Sequence, residues 1–558
     1  MSASAPSKKS YSNLTGARRW RLEPWSVMAL VIALLVILPI ASVAWIAFHP
    51  TENIWPHLIS TTLPRYMGNT LIMMVSVAII SAFVGTGAAW LLTMYSFPGA
   101  RWMRWALLLP LAIPAYVGAY ALVDFLEYAG PVQTTLRDLF GWENSRDYWF
   151  PEIRSRWAAI VVLSGALFPY VYLMARSAFQ EHSATSYEVA QALGAGPFER
   201  FWRVGLPLAR PAIAAGTAVA MMETVADFGT VDYFGVQTLT TGIFTTWLQA
   251  SNAGGAAQIA GVMMLLVILL IGFERTSRRK HRYHNAARHS RPHKTMRLYG
   301  LRAWVATILC FLPFAIGFIL PVSVIGYHAL SNAELWLDPD LAEDLLNTVF
   351  VGGTASVLTV ILALFMVYGV CLTGRRLPQL LMPVASSGYA APGAVLAIGI
   401  LIPLSQFDNA LADGILALTG YDPGLMLTGT AFALVYSYAV RFFAIAQGAT
   451  DSALGRISPS LPMAARSLGR SNAGVLREVH APLIKGSVAT ALLLVFVDCV
   501  KELPATLLLR PFNFNTLSTR VYEQASLERL ENAAPAAILV IAVGLCAVLI
   551  MQRTHHVR

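Results

Sequence analysis

Charge is what this chain has least of. Asp, Glu, Lys and Arg make up 13% of its 558 residues, against 56% hydrophobic, whereas soluble chains carry roughly a quarter charged residues. Apolar runs of roughly 20 residues, enough to cross a bilayer, recur along the whole length. A soluble globular protein is therefore excluded. The first run, Trp25 to Phe48, is too long for a signal-peptide core and reads as a retained anchor. Cysteine is also scarce. Cys310, Cys371, Cys499 and Cys546 fall inside apolar runs, with neither metal-ligand spacing nor a disulfide pattern. No Gly-x-x-x-x-Gly-Lys-Ser/Thr phosphate loop is present, so no nucleotide-hydrolysing site is assigned to the chain. No Ser/His/Asp or metal constellation stands out: no catalytic residue or cofactor is assigned to the chain, a metal site is left open, and a membrane enzyme is disfavoured.

The charge that is present is placed unevenly. Lys8, Lys9, Arg18, Arg19 and Arg21 precede the first run, and a basic stretch from Arg275 to Arg302 divides the chain. Arg101, Arg104, Arg375 and Arg376 sit in short turns between spans. The opposite segments carry acids such as Glu52, Asp138, Glu143, Asp147, Glu334, Asp338 and Asp340, with some arginines among them (Arg137, Arg146, Arg154, Arg156). This positive-inside bias predicts both termini and the central stretch in the cytoplasm. The net charge of +10 thus points to lipid headgroups and not to nucleic acid. His281, His284, His289 and His293 are interleaved with arginines that repel a cation, so they read as solvated linker and not as a metal tract.

Hydrophobic runs read against loop charge give about twelve spans, six on each side of the linker. They cover 26–48, 68–94, 104–127, 156–177, 210–228 and 255–273, then 303–327, 347–372, 379–404, 427–447, 487–508 and 533–551. The predicted fold class is an all-α integral membrane protein. Its parts are an N-terminal tail (1–25), a first transmembrane domain (26–273), a basic linker (274–302), a second transmembrane domain (303–551) and a C-terminal tail (552–558). The halves repeat: Asn69-Thr70 matches Asn347-Thr348, Pro114 matches Pro392, and Pro207 matches Pro482. Six spans per half make the repeat parallel, with a pore or site between the halves, unlike the inverted repeats of many secondary transporters.

After the fourth span the chain reads Tyr187-Glu188-Val189-Ala190-Gln191-Ala192-Leu193-Gly194, then Pro207. The second half repeats it as Met463-Ala464-Ala465-Arg466-Ser467-Leu468-Gly469, then Pro482. Small residues at helical spacing suit a short helix that sits in a partner's groove, glycine ends it, and proline starts the next span. The segment resembles the Glu-Ala-Ala loop of binding-protein-dependent ABC importer permeases. That resemblance implies the type I importer permease fold, with Glu188, Ala190, Gly194, Pro207, Ala464, Ala465, Gly469 and Pro482 as ATPase-coupling residues. It also implies two ATPase copies, which bind the ATP and magnesium, and an extracytoplasmic binding protein. The expected location is a bacterial inner membrane. Met463 stands where Glu188 does and Gly486 where Pro211 does, so the two docking surfaces are expected to differ.

After each docking loop comes a span with buried charge: Glu223 and Asp227 in the first half, Asp498, Lys501 and Glu502 in the second. Repeat alignment pairs Glu223 with Asp498 and Asp227 with Glu502, each pair spaced i, i+4 on one expected helix face. A charge at mid-bilayer costs roughly 2.5–3.5 kcal/mol, so these residues are expected to face the interface between halves, as translocation path or gate. Carboxylates suit hard cations; alternatively, Lys501 pairs with Glu502 or Asp227 and the cluster holds a gate. The stretch Ala226-Asp227-Phe228-Gly229-Thr230-Val231-Asp232-Tyr233-Phe234-Gly235, and Lys501-Glu502-Leu503-Pro504-Ala505-Thr506, look like the fused permeases of ferric iron importers. Related permeases for thiamine and phosphonates share the layout, and an ion-coupled secondary transporter is the rival of a different class. The outer docking surface is expected around 129–155, 229–254, 405–426 and 509–530.

Overall fold

The computed structural model describes residues 24–50, 53–181, 184–279, 295–373, 376–458 and 460–556. The basic tail before Pro24 and the four linker histidines lie outside them. The described chain is almost wholly helical. Eleven of its helices are long and apolar enough to cross a membrane, or twelve if the pair Ala100–Ala112 and Ala115–Phe140, bent by 96°, counts as one span.

Two expected spans in each half are broken, and local chemistry explains where. The third span of the first half runs as Ala100–Ala106, a 3-10 turn Leu109–Ala112 and helix Ala115–Leu126. Its counterpart runs as Arg376–Ala385, Ser386–Ala390 and Gly393–Thr419. Pro114 and Pro392 stand at the breaks. A proline pushes the preceding residue out of the helical region, and Ile113 and Ala391 are extended, at ψ 126° and 122°. The fifth spans, Leu206–Ala226 and Ala481–Lys501, also stop short. Asp227 and Glu502 are extended (ψ 135° and 120°), and short helices Gly229–Tyr233 and Pro504–Leu509 follow. The expectation that each acid pair shares one helix face is therefore corrected: the second acid of each pair lies beyond the helix end.

The chain after each break stays inside the protein. Thr238 and Thr516 cap the next short helices, each exchanging bonds with the threonine three residues on. The Asn-Thr markers of the repeat hold these loops. Asn69 Nδ2 donates to the Gln237 carbonyl (2.8 Å) and Thr70 accepts from Leu239 N (3.1 Å). Asn347 and Thr348 do the same for Asn515 (3.1 Å) and Leu517 (2.8 Å). Residues Leu239 to Phe244 and Leu517 to Thr519 are consequently buried. Much of 229–254 and part of 509–530 thus pack inside, contrary to the expected outer surface, while Phe512 stands fully exposed.

The first helix of each half packs on the other half. Pro24–Phe48 lies against Pro339–Thr373, Arg376–Ala385 and Gly393–Thr419. Ala29, Ile32, Val36 and Val43 form its buried stripe, and Tyr436 Oη donates to the Leu35 carbonyl at 2.6 Å. Conversely, Gly300–Phe314 and Leu320–Ser331 lie against the first half, where Gly317 packs so closely on the Gly165 carbonyl that a side chain there would collide. On the side of the docking loops, Tyr95–Ser96 pairs in parallel with Met296–Arg297, tying the linker's end to the first half.

Candidate functional site: the docking loops and the cavity between the halves

The two docking segments have the same architecture. Helix Ala184–Ala192 carries Glu188 and Ala190, and helix Ser460–Ser467 carries Ala464 and Ala465; the Glu188 side chain lies outside the description. Gly194 and Gly469 follow in the left-handed region, φ 88° and 81°. Ala195 N bonds the Ala190 carbonyl and Arg470 N bonds the Ala465 carbonyl, 3.0 and 3.1 Å, so each helix closes with the same glycine-dependent motif. Leu193 and Leu468, one residue before each glycine, are 82% and 83% exposed. They are matched apolar knobs. Pro207 and Pro482 open the following spans in their first turns.

The segments are anchored differently. In the first half the Trp90 indole meets Phe179, Tyr187 and Phe201 edge-on at 5.2–5.7 Å between centroids, and Gly205 leaves room for it. Arg200 donates to Gln191 Oε1 (3.0 Å) and lies 3.8 Å from Met296 Sδ. In the second half Tyr368 takes the place of Trp90 and packs on His480 at 5.6 Å. Met463 is exposed, and Arg470 pairs with Glu478 at 3.0 Å.

The broken spans meet around a cavity of about 190 Å³ whose walls include Glu223, Asp227, Asp498, Lys501 and Glu502. All five sequence-derived residues come together there. Asp227 Oδ1 accepts from Thr230 N (3.1 Å) and Val231 N (3.2 Å), and Oδ2 accepts from the Thr230 hydroxyl (3.0 Å). Glu502 does the same for its own short helix, accepting from Ala505 N (3.0 Å), Thr506 N (3.2 Å) and the Thr506 hydroxyl (3.1 Å). Arg441, inside Ala431–Leu454, forms an ion pair with Glu502 at 3.3 Å, the Glu502 side chain buried and that of Arg441 partly so. Ala166 occupies the matching place in the first half, so the basic partner is one-sided.

At the cavity, two polar contacts link residues of its wall across the halves. Tyr389 Oη donates to Glu223 Oε1 at 3.1 Å, and Lys501 Nζ donates to the Leu111 carbonyl at 2.5 Å. Tyr389 and Leu111 occupy equivalent places in the two proline elbows. Lys501 does not pair with Glu502 or Asp227, as the sequence alternative had it; its amine is drawn to the elbow carbonyl, while Arg441 takes Glu502. Sequence reasoning missed Arg441 and Tyr389. For Arg441 a signal existed, since an ionisable residue inside an apolar span marks a functional position.

Residues 77–283 match the family of binding-protein-dependent transport system inner membrane components. Over 495 residues the chain is 28% identical to the Fe(3+)-transport system permease protein FbpB 2 of Haemophilus influenzae, covering 86% of this chain and 88% of that protein. Residues 77–283 carry the inner membrane component domain of binding-protein-dependent transport systems. The permease is also 22% identical over 526 residues to the ferric transport system permease protein FbpB of Actinobacillus pleuropneumoniae (90% of the permease, 73% of that protein). A probable sulfate transport system permease protein cysT of Nephroselmis olivacea is 28% identical over 228 residues, 40% of the permease and 75% of the relative. The domain match and the apolar helices make the permease a multi-pass inner-membrane transport component of an ABC importer.

Proposed function

We propose that this permease passes ferric iron inward, delivered by an extracytoplasmic binding protein and driven by two copies of a partner ATPase that bind ATP and magnesium. Its termini and linker are cytoplasmic. The observation that carries the iron reading is the likeness to an Fe(3+) permease across nearly the whole fused chain, where the sulfate relative spans 40% of it. The cavity supports the same reading. Its four carboxylates, Glu223, Asp227, Asp498 and Glu502, outnumber its two basic side chains, Arg441 and Lys501, of which Arg441 is paired with Glu502, and hard cations favour carboxylate oxygen. The helices carrying Glu188, Ala190 and Gly194, and Ala464, Ala465 and Gly469, dock on the ATPases. Pro207 and Pro482 start the spans that carry the motion to Glu223, Asp227, Asp498, Lys501 and Glu502.

The test is uptake of radiolabelled Fe(III) into vesicles holding the permease, its ATPase and its binding protein, with labelled sulfate, thiamine and phosphonate arms given their own candidate binding proteins. ATP-dependent iron accumulation supports the reading. ATP hydrolysis stimulated by a different loaded binding protein, without iron uptake, would keep the importer and discard the substrate.

A further inference from the structure

The four acids of the cavity do not have equal freedom. Asp227 and Glu502 are spent on structure: each accepts two backbone N–H groups and a threonine hydroxyl at the start of a short helix, and Glu502 also holds Arg441. A carboxylate in that position satisfies orphan donors of a helix start, and most of its roughly four acceptor positions are occupied. Glu223 and Asp498 differ. Glu223 accepts one bond, from the Tyr389 hydroxyl across the interface. Asp498 accepts no hydrogen bond among the described residues, and its charge is felt by Glu223 and Lys501. Asp498 is half-buried and opens on the cavity, and an ionisable group at that depth of a membrane span marks a functional position. The cavity also holds a buried polar atom without a partner among the described residues: the hydroxyl of Tyr116, a residue 4% exposed that lines the same space. Tyr170, on the cavity wall, lies within electrostatic reach of both Glu223 and Asp498.

We infer that Glu223 and Asp498, one from each half, are the cargo-contacting and specificity-determining carboxylates of the path, with the Tyr170, Tyr389 and Tyr116 hydroxyls as neutral oxygen neighbours, while Asp227 and Glu502 are positioning residues. This rests on the reading of the cargo as a cation. Cargo that meets Glu223 competes with Tyr389 for the same oxygen, so arrival of the cation loosens a bond between the halves. Among the described residues no three acids, histidines or cysteines converge as a metal cage. Two carboxylates make a shallow site, as a path must have if cargo is to leave as well as enter.

The experiment uses the full complex of permease, ATPase and binding protein in vesicles, comparing Glu223→Gln, Asp498→Asn and their double variant with Asp227→Asn and Glu502→Gln. Detergent melting temperature, recovery of the complex and Fe(III) taken up per ATP hydrolysed are read together. The Glu223 and Asp498 variants are expected to keep their melting temperature and complex but lose at least about tenfold in iron per ATP, as when a group needed only for the moving cargo is removed. Glu223→Asp should restore part of it. Asp227→Asn and Glu502→Gln are expected to lower the melting temperature first. Normal iron per ATP in the double variant overturns the inference, as does loss that only follows falling melting temperature. If wild-type vesicles take up sulfate and no iron, the iron reading fails by itself. Sulfate uptake that then falls in Arg441→Gln but survives the Glu223/Asp498 double variant would overturn the inference separately.

Discussion

At Gly393 the backbone passes so close to the buried ion pair that a methyl group would collide with Glu502 and sit 2.5 Å from Arg441 Nη1. Gly393→Ala should therefore cost about 1–3 kcal/mol, as overpacking does, seen as a lower melting temperature in detergent. Removing one partner should be worse. Arg441→Leu leaves the Glu502 carboxylate buried without its cation, a loss of about 3–5 kcal/mol. The double variant Arg441→Leu with Glu502→Gln should regain much of it, because a neutral amide oxygen still accepts from Ala505 and Thr506. If the double variant melts lower than Arg441→Leu alone, the pair is not what holds the site. The acids were legible in the sequence because a charge inside an apolar run is conspicuous. What could not be read was their division, since the same i, i+4 spacing describes one helix face or a helix followed by a cap. Only Thr230 and Thr506, three and four residues beyond the acids, hint at the second.

The docking helices carry the next set of expectations. Gly194 and Gly469 hold φ near +80° to +90° with open space around them, so substitution there strains the backbone, by roughly 1–2 kcal/mol, without a steric clash. Gly194→Asp and Gly469→Asp should leave the spans in the membrane yet reduce ATPase co-purification and uptake together; survival of both would remove these helices from the ATPase interface. Trp90→Ala empties the space between Phe179, Tyr187 and Phe201, a change of about 3–5 kcal/mol for a buried tryptophan. It should weaken ATPase retention, while Tyr368→Ala, which removes a smaller ring, should cost less; equal losses would mean the two anchors are equivalent. These helices, with their glycines and prolines, were plain in the sequence because turn chemistry is local. The breaks at Pro114 and Pro392 were not, although both prolines were marked as repeat features: a proline inside an apolar run kinks, caps or ends a helix, and tertiary surroundings choose among these.

For the molecule as a whole, the two-half plan was readable from the repeat and from loop charge, but the exchange of first helices was not. Hydropathy tells which segment lies in lipid and nothing of which neighbour it meets, and the stripe Ala29, Ile32, Val36 and Val43 would suit either half. Cutting the chain within 280–294 should give two pieces that co-purify and transport when made together, since each piece's first helix is seated on the other. A second piece that is stable alone would contradict the exchange. The same exchange bears on biogenesis. Pro24–Phe48 emerges from the ribosome first and meets Ala253–Arg279 of its own half, yet its partners in the second half begin at Pro339, about 300 residues later, which at 5–20 residues per second is roughly 15–60 s of synthesis. Through that interval the oldest helix in the membrane waits half-seated, with the surface that Pro339–Thr419 will cover still turned to lipid.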